Sequence, residues 1–466
     1  MKKIDILDKS IPPRKLILML VWPTVVEEFM SILVNYVDTA MVGAVGVNAT
    51  ASVSVSAPLI NLTNALCIGL SSGFGILMSR YIGEGHKDRA LKAMQQGMLF
   101  SLLFGILMTF LYTFLFADHF PIWMNAKEDI WQTSSDYLRW FGYSRVFMVV
   151  MFMANNILRG QGNTHTPMIA NVTHNITNCV LNFFFIYETR ELTWFGKTFT
   201  MPGLGYGVAG AAMATSIANV VATIIAFSAL FRKSNTVPFS FKGFELGFEP
   251  VTLKGSMSIS LPVAAERFTT NFGMLICTSL LAAVGNKVVA AHSLAGTGES
   301  ICYMSVMGFG MAASTLVAQW LGAGDEEQAM LLAKKCIKYS AIVMAGAATI
   351  LFFGAPFIID IFTDDTEVIE MAALALRIQC VIEIIEGMGM TIGGVLRGAG
   401  DARYSTYSSL AGMWLVRVPA AYILIRFFHF GLLGVWIPMA IDWVVRFLIL
   451  WFRYKSGKWT AVWNKQ

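Results

Sequence analysis

The sequence predicts an all-α polytopic membrane protein, with twelve transmembrane helices in two six-helix lobes that are related by a parallel repeat. Three observations predict this fold class: an apolar composition, twelve apolar runs of membrane-spanning length, and an internal repeat. Hydrophobic residues make up 56% of the 466 residues, charged residues make up 14%, and the mean hydropathy is +0.61. Soluble domains carry about 25% charged residues, so this chain lacks the polar surface that a soluble protein of its size needs.

Twelve apolar runs are separated by charged or Gly/Pro-containing stretches. Each run has about 20 residues or more, which is the helix length that crosses the hydrocarbon core of a bilayer. The predicted spans are 16–42, 52–78, 94–116, 138–159, 168–187, 207–231, 257–284, 289–317, 339–362, 373–396, 405–427 and 432–452.

The distribution of lysine and arginine predicts that both termini face the cytoplasm. If they do, the inner segments contain 23 lysines and arginines and the outer segments contain only 4. Positive residues concentrate in cytoplasmic loops. The net charge of +5 therefore reflects membrane orientation, and we expect no nucleic-acid partner.

The two halves of the chain resemble each other at a fixed offset of 239 residues. Residues 22–51 align with 261–290, and LRGQG at 158–162 matches LRGAG at 396–400 with an offset of 238. Each half contains six spans, an even number, so both repeats enter the membrane from the same side. This parallel repeat suits a transporter that rocks about a cavity between its halves.

The repeat also predicts the division of the chain. We expect an N-lobe at 1–231, a cytoplasmic linker at 232–256 and a C-lobe at 257–466. The six cysteines are scattered and show no metal-ligand spacing. No nucleophile or phosphate-loop motif supports an enzyme, so we expect neither catalysis nor a cofactor.

Asp38 lies inside the first span, where charge is costly. Its repeat partner is Cys277, so the symmetry of the fold does not require an acid there. Asn35, one turn earlier, offers an amide on the same face. Glu27, eleven residues earlier, returns to nearly the same face about 16 Å away. Both are candidate helix-1 ligands.

The fifth span carries an asparagine stripe, formed by Asn175, Asn178 and Asn182. These amides lie along one helix at i, i+3 and i+7, which is an expensive arrangement in an apolar helix unless the amides are satisfied. Oxygen ligands around one carboxylate suit a hard monovalent cation or a proton relay. The alternative is a stripe that serves only helix packing.

Four acids of the second half lie at similar depth in their spans: Glu266, Glu299, Glu383 and Glu386. Glu383 and Glu386 are three residues apart, on one helix face. Like charges at such a spacing suit a proton carrier. These acids are therefore candidates for coupling or for substrate binding.

The alternative is that arginines neutralise the acids. Arg417 lies at similar depth, and Arg267 adjoins Glu266. Asp442 and Arg446, one turn apart, are predicted to form a structural ion pair.

Several motifs resemble the multidrug and toxic compound extrusion (MATE) family, within the multidrug/oligosaccharidyl-lipid/polysaccharide (MOP) superfamily. The resemblance covers the whole chain and rests on the order and spacing of the motifs rather than on any single one. They are VDTAMVG (37–43), RYIGEGHKDRA (80–90), LRGQGNTHTPM (158–168), GVAGAAMAT (207–215), AAHSLA (290–295), LVAQWLGAGD (316–325) and LRGAGD (396–401).

The resemblance implies roles for individual residues. Asp38 matches the family's first-helix acid, and Asn178 and Asn182 match its fifth-helix motif. Thr215 matches a sixth-helix residue near the cation site, and Glu386 matches an acid of the C-lobe. The seventh-helix glutamate that related members carry is replaced by Thr270.

We therefore predict an antiporter that exports cationic or amphipathic small molecules in exchange for H⁺ or Na⁺. We expect a monomer, surrounded by membrane lipid, in the plasma (inner) membrane of a bacterium. The alternative on the same fold is a flippase for a lipid-linked saccharide, which would favour a strongly basic cavity. Acids outnumber the buried arginines at mid-depth, which favours the exporter. An ion channel or a membrane enzyme is the third possibility.

Overall fold

A computed structural model describes residues 6–194 and 197–462 of the chain. The predicted terminal segments and the outer loop at 188–206 include residues that lie outside this range. The helices of the first half are α1 (Pro13–Gly43), α2 (Val47–Gly83), α3 (Lys87–Phe110), α4 (Ala117–Trp123), α5 (Glu128–Tyr143), α6 (Arg145–Gly160), α7 (His165–Phe185) and α8 (Gly207–Leu230). Those of the second half are α9 (Pro250–Ala282), α10 (Asn286–Gly322), α11 (Glu326–Asp360), α12 (Thr366–Gly398), α13 (Ala402–Leu410), α14 (Val418–Arg426) and α15 (Leu433–Lys455).

The predicted spans coincide with these helices. The third and eleventh spans run through π-helical turns, at Leu111–Phe116 and Ala411–Arg417. The fourth span belongs to α5 and α6, which are bent by 47°. Eight helices of the described chain are long and apolar enough to cross a membrane, or nine if the bent pair is one span. Among the others, α7 contains the asparagine stripe and α12 contains Glu383 and Glu386, which lower their apolar character.

The loop at 188–206, which is predicted to lie on the outer side, contains a β-hairpin that the all-α prediction did not include. Strands β1 (Glu188–Trp194) and β2 (Lys197–Leu204) pair antiparallel. Both strands are rich in threonine and aromatic residues, which favour extended structure. The hairpin leads directly into α8.

The described chain forms two compact units. The first unit contains residues 26–75 and 91–249, and the second contains residues up to 25, 76–90 and 250 onward. The beginning of α1 and the end of α2 therefore belong to the second unit. The predicted lobe boundaries remain a prediction.

The segment between α8 and α9 packs onto α3 within the first unit. Gln95 donates a hydrogen bond to the backbone oxygen of Ser240 at 2.7 Å, and Gln96 donates to that of Gly247 at 2.7 Å. These buried amides hold an otherwise irregular segment against the first unit.

In the second unit, α10 and α12 touch through a seam of small residues. A Cβ atom on Gly394 would clash with the backbone oxygen of Gly310, and one on Gly398 would clash with that of Ser314. Small residues four apart on two facing helices allow such close approach in membranes. The seam joins the two helices that carry Glu299, on α10, and Glu383 and Glu386, on α12.

We predict that Gly394→Ala destabilises the protein. The added methyl group must push α10 and α12 apart, and such overpacking costs about 1–3 kcal/mol. The matched control is Gly346→Ala in α11, where a Cβ atom meets nothing within 4 Å. Thermal unfolding in detergent should show a lowered Tm for Gly394→Ala and an unchanged or raised Tm for the control. Equal Tm values would contradict the seam.

Candidate functional site

In the first unit, Asp38 of α1 meets two asparagines of α7. Asn182 donates from Nδ2 to Oδ1 of Asp38 at 2.6 Å. When the amide nitrogen of Asn178 faces Asp38, it donates at 2.9 and 2.8 Å to the two carboxylate oxygens. Its amide oxygen then accepts from Oγ1 of Thr215 in α8, at 2.9 Å. We call these four residues the Asp38 cluster.

The side chains of the Asp38 cluster are a carboxylate, two amides and a hydroxyl. Asn178 and Asn182 are buried, and Asp38 is half-buried. Oδ1 of Asn182 is buried without a hydrogen-bond partner within the described chain. A carboxylate, two amides and a hydroxyl provide the hard oxygen ligands that suit a proton or a small monovalent cation.

The two candidate helix-1 ligands do not join the Asp38 cluster. Asn35 is exposed, and among the described residues its side chain forms no hydrogen bond with Asp38. Glu27 accepts hydrogen bonds from Arg159 at 2.6 and 2.8 Å and from Asn171 at 2.6 Å. Glu27 is therefore held by a guanidinium at a different depth of α1.

The same ion pair occurs in the second unit. Glu266, the repeat partner of Glu27, forms an ion pair with Arg397 at 3.4 Å. Arg159 and Arg397 are the arginines of the repeated LRG motifs. We call these contacts the repeated Glu–Arg pair. In the sequence, each half contains a PxxxE segment and an LRG motif. The sequence analysis did not predict that the glutamate of one contacts the arginine of the other.

Three acids of the second unit converge, and we call Glu299, Glu383 and Glu386 the carboxylate trio. Oxygen atoms from all three lie within 4.8 Å of one another. Glu383 and Glu386 are buried, and neither carboxylate oxygen of Glu383 has a hydrogen-bond partner in the described chain. Three charged carboxylates at this distance repel one another strongly, so the trio is suited to holding protons or a cation. Glu266, predicted at the same depth, does not join it.

Gln379 is a neighbour of the carboxylate trio that was not predicted from the sequence. It is buried and donates from Nε2 to Glu386 at 2.6 Å. Its position seven residues before Glu386 places both on one face of α12, and that spacing is the signal that could have found it.

The predicted pair of Asp442 and Arg446 is present. Asp442 is fully buried and accepts from Arg446 at 2.6 and 2.9 Å. Arg417 also lies 2.7 Å from Asp442. Arg417 is thus engaged by Asp442 and forms no ion pair with the carboxylate trio in the described chain.

A cavity of about 360 Å³ lies within the second unit, beside the trio. Its wall includes Glu299 and Glu386 of the trio and four methionines: Met274, Met307, Met390 and Met439. The charged wall residues are Glu266, Glu299, Glu386, Arg267, Arg397, Arg417 and Arg446. Arginines therefore outnumber acids on this wall, contrary to the predicted excess of acids.

The MatE family model matches the chain twice, at residues 23–184 and 262–423. The chain belongs to the MatE family. The two matches are separated by the same offset of 239 residues that the internal repeat shows, so the repeat is confirmed. MatE proteins are transporters rather than enzymes, as predicted.

Relatives of similar length support membership of the MatE family. A probable multidrug resistance protein NorM from Thermotoga maritima is 27% identical over 96% of this chain and 93% of its own. Another, from Mannheimia succiniciproducens, is 29% identical over 95% and 94% of the two chains. Multidrug and toxin extrusion protein 1 of Danio rerio is 24% identical over 90% of this chain and 68% of its own.

Solved structures confirm the MatE fold. A MOP superfamily transporter from Pyrococcus furiosus has a TM-score of 0.87 and 24% identity, covering 96% of both chains. An outward-facing multidrug resistance MATE family transporter has a TM-score of 0.87 and 24% identity, over 98% and 99% of the two chains. The predicted class of polytopic helical membrane protein is therefore confirmed.

We predict that Asp442→Asn strongly destabilises this MatE protein. The substitution leaves Arg417 and Arg446 buried without their carboxylate, and breaking such a buried pair costs about 3–5 kcal/mol. The control is Asp118→Asn, because Asp118 pairs with Arg139 at the surface and surface pairs contribute little. Thermal unfolding in detergent gives the Tm of each variant, and the two values are compared with that of the native protein. A fall in Tm for Asp442→Asn no larger than that for Asp118→Asn would refute the prediction.

Proposed function

We propose that the chain is a cation-coupled antiporter that exports cationic or amphipathic small molecules in exchange for H⁺ or Na⁺. The observation that carries this proposal is that Asp38 is held by uncharged groups. In the described chain, Asp38 forms no ion pair, and its hydrogen-bond donors are the uncharged amides of Asn178 and Asn182. A carboxylate held in this way keeps its full charge available for a proton or a cation.

The two asparagines allow the cluster to accept either state of Asp38. An amide can present its nitrogen to an ionised carboxylate, or its oxygen to a protonated carboxyl or to a cation. Rotation of the amides therefore satisfies the loaded and the unloaded cluster with one set of residues. In the loaded cluster, the oxygen of Asn182 and the hydroxyl of Thr215 would face the bound ion.

Coupling requires that ion binding favours one arrangement of the protein over another. A bound ion can shift such an equilibrium only by its difference in affinity for the two arrangements. Asp38 lies on α1, whereas its ligands lie on α7 and α8. A small displacement of α1 would therefore change the ligand set and so the affinity.

We propose a second coupling or substrate site at the carboxylate trio. The trio borders the cavity of about 360 Å³, so a cationic substrate in that cavity would lie beside Glu299 and Glu386. The four methionines of the wall provide polarisable, flexible contacts that tolerate substrates of different shape. Relatives named for multidrug resistance support export of such compounds.

The charge of the cavity favours export of cations over flipping of a lipid-linked saccharide. Of its four arginines, Arg417 and Arg446 are paired with Asp442, and Arg397 is paired with Glu266. Only Arg267 forms no ion pair within the described chain. The cavity is therefore not the strongly basic one that a pyrophosphate needs.

We further propose that the protein is a monomer in the plasma membrane of a bacterium, with both termini cytoplasmic. The excess of lysine and arginine in the predicted inner segments supports this orientation. We also propose the N-lobe at 1–231, the linker at 232–256 and the C-lobe at 257–466.

We predict that Asp38→Asn abolishes gradient-driven export. The variant keeps the size of the side chain, and rotation of the two asparagine amides can satisfy it, but it cannot carry a proton or balance a cation. Ethidium efflux from membrane vesicles, with Na⁺ and pH gradients imposed separately, measures the effect. Asp88→Asn, which neutralises an exposed acid of α3, is the matched control and should retain export. If Asp38→Asn still exports ethidium, or if neither gradient drives the native protein, the coupling proposal fails.

We predict that Glu386→Gln changes the dependence of export on pH. Removing one carboxylate from the trio relieves the repulsion on the other two, so the number of protons that they share changes. Export measured from pH 5 to 9 should therefore show a shifted or flattened profile. The control is Glu370→Gln, which alters an exposed acid of the same helix outside the trio and should keep the native profile. An unchanged profile for Glu386→Gln would assign that residue a structural role.

A further inference from the structure

A second concave surface of the second unit lies away from the acids. It is a groove of about 900 Å³ between the first turns of α11 and the end of α15, with Met388 of α12 contributing to its floor. Its rim carries Lys334, Lys335 and Lys338 from α11 and Lys455 from α15. We call this surface the lysine groove.

The lysine groove carries more positive than negative charge. Lys334 and Lys338 are one turn apart on α11, and both are exposed. None of its four lysines forms an ion pair within the described chain, and Glu327 is the single acid on its lining. Such a surface attracts a ligand that carries negative charge.

The lysine groove also has an apolar lining. Leu331, Ile337, Ala341, Met388 and Trp451 line it beside the lysines. A small free anion would contact the lysines but would gain nothing from the apolar residues beside them. An amphiphile with a negative head and an apolar body satisfies both parts.

The position of the groove along its helices matches the edge of a bilayer. After Lys338, α11 continues for 21 residues without a charged side chain, from 339 to 359. At 1.5 Å per residue this stretch is about 32 Å long, which is close to the thickness of the hydrocarbon core. The lysines therefore lie where α11 leaves the hydrocarbon.

The residues at the end of α15 also indicate that the edge of the bilayer lies at this level. Trp451 and Tyr454 are aromatic residues of the kind that concentrate at membrane interfaces, with their ring centroids 5.9 Å apart. The Lys455 ammonium lies 5.1 Å from the centroid of the Trp451 ring. Lysine head groups and an apolar floor thus meet at the level of lipid phosphates.

We propose that the lysine groove is a binding site for an anionic phospholipid. The lipid phosphate would lie among Lys334, Lys338 and Lys455, and an acyl chain would extend along Ala341 and Met388. The site is separate from the Asp38 cluster and from the carboxylate trio, so the proposal does not depend on the coupling mechanism.

The test measures lipid retention by native mass spectrometry of the delipidated full-length protein in detergent. Phosphatidylglycerol and phosphatidylcholine with identical acyl chains are the probes. We expect phosphatidylglycerol to bind more tightly, and the double variant Lys334→Gln/Lys338→Gln to weaken its binding by roughly tenfold or more. The control Lys87→Gln/Lys254→Gln removes two exposed lysines outside the groove and should bind like the native protein.

Three outcomes would overturn the proposal. Equal binding of the two lipids would show that charge is not recognised, and equal weakening in both double variants would show attraction by net charge alone. Displacement of phosphatidylglycerol by inorganic phosphate at similar concentration would identify a free-anion site. The variant Lys334→Arg/Lys338→Arg, which keeps the charge, should retain binding, and the Tm of each variant checks that it is folded.

Discussion

The cost of placing a carboxylate inside an apolar helix bundle determines how the polar groups of both units are arranged. The charge of Asp442 is balanced by two arginines. In the repeated Glu–Arg pair, each glutamate is balanced by one arginine of its own unit. Asp38 is held by amides, and in the carboxylate trio Gln379 donates to Glu386 while the three acids repel one another. The first two solutions fix the charge permanently. The last two leave it open to a proton or a cation, and they are the places where we locate coupling.

The two units share a framework but differ in their functional groups. The position of Asp38 in the first unit corresponds to Cys277 in the second, where the side chain packs in an apolar core. The acids of the second unit converge instead between α10 and α12. The small-residue seam formed by Gly310 and Gly394 brings those two helices into contact. The polar sites of the two units are therefore built between different helices.

The sequence predicted the features that depend on local pattern. Apolar length located the spans, and the fixed offset revealed the repeat, because both are properties of neighbouring residues. Two members of the asparagine stripe, Asn178 and Asn182, hydrogen-bond to Asp38 from one face of α7, whereas Asn175 donates to Ser31. The approach of Glu299 to α12 could not be predicted, because depth along a helix does not specify its rotation. The assignment of Glu27 as a helix-1 ligand was not supported for a related reason: its guanidinium partner is 132 residues away along the chain.

The repeated Glu–Arg pair has a consequence for the history of the fold. A PxxxE segment and an LRG motif occur in both halves, and in both they meet as an ion pair. In each half the glutamate and the arginine balance each other's charge, which neither could do alone in an apolar bundle. The simplest account is that this pair was already present in a gene of half the present length, before it was copied. Asp38 and the carboxylate trio have no such counterparts in the other half, so this account does not extend to them.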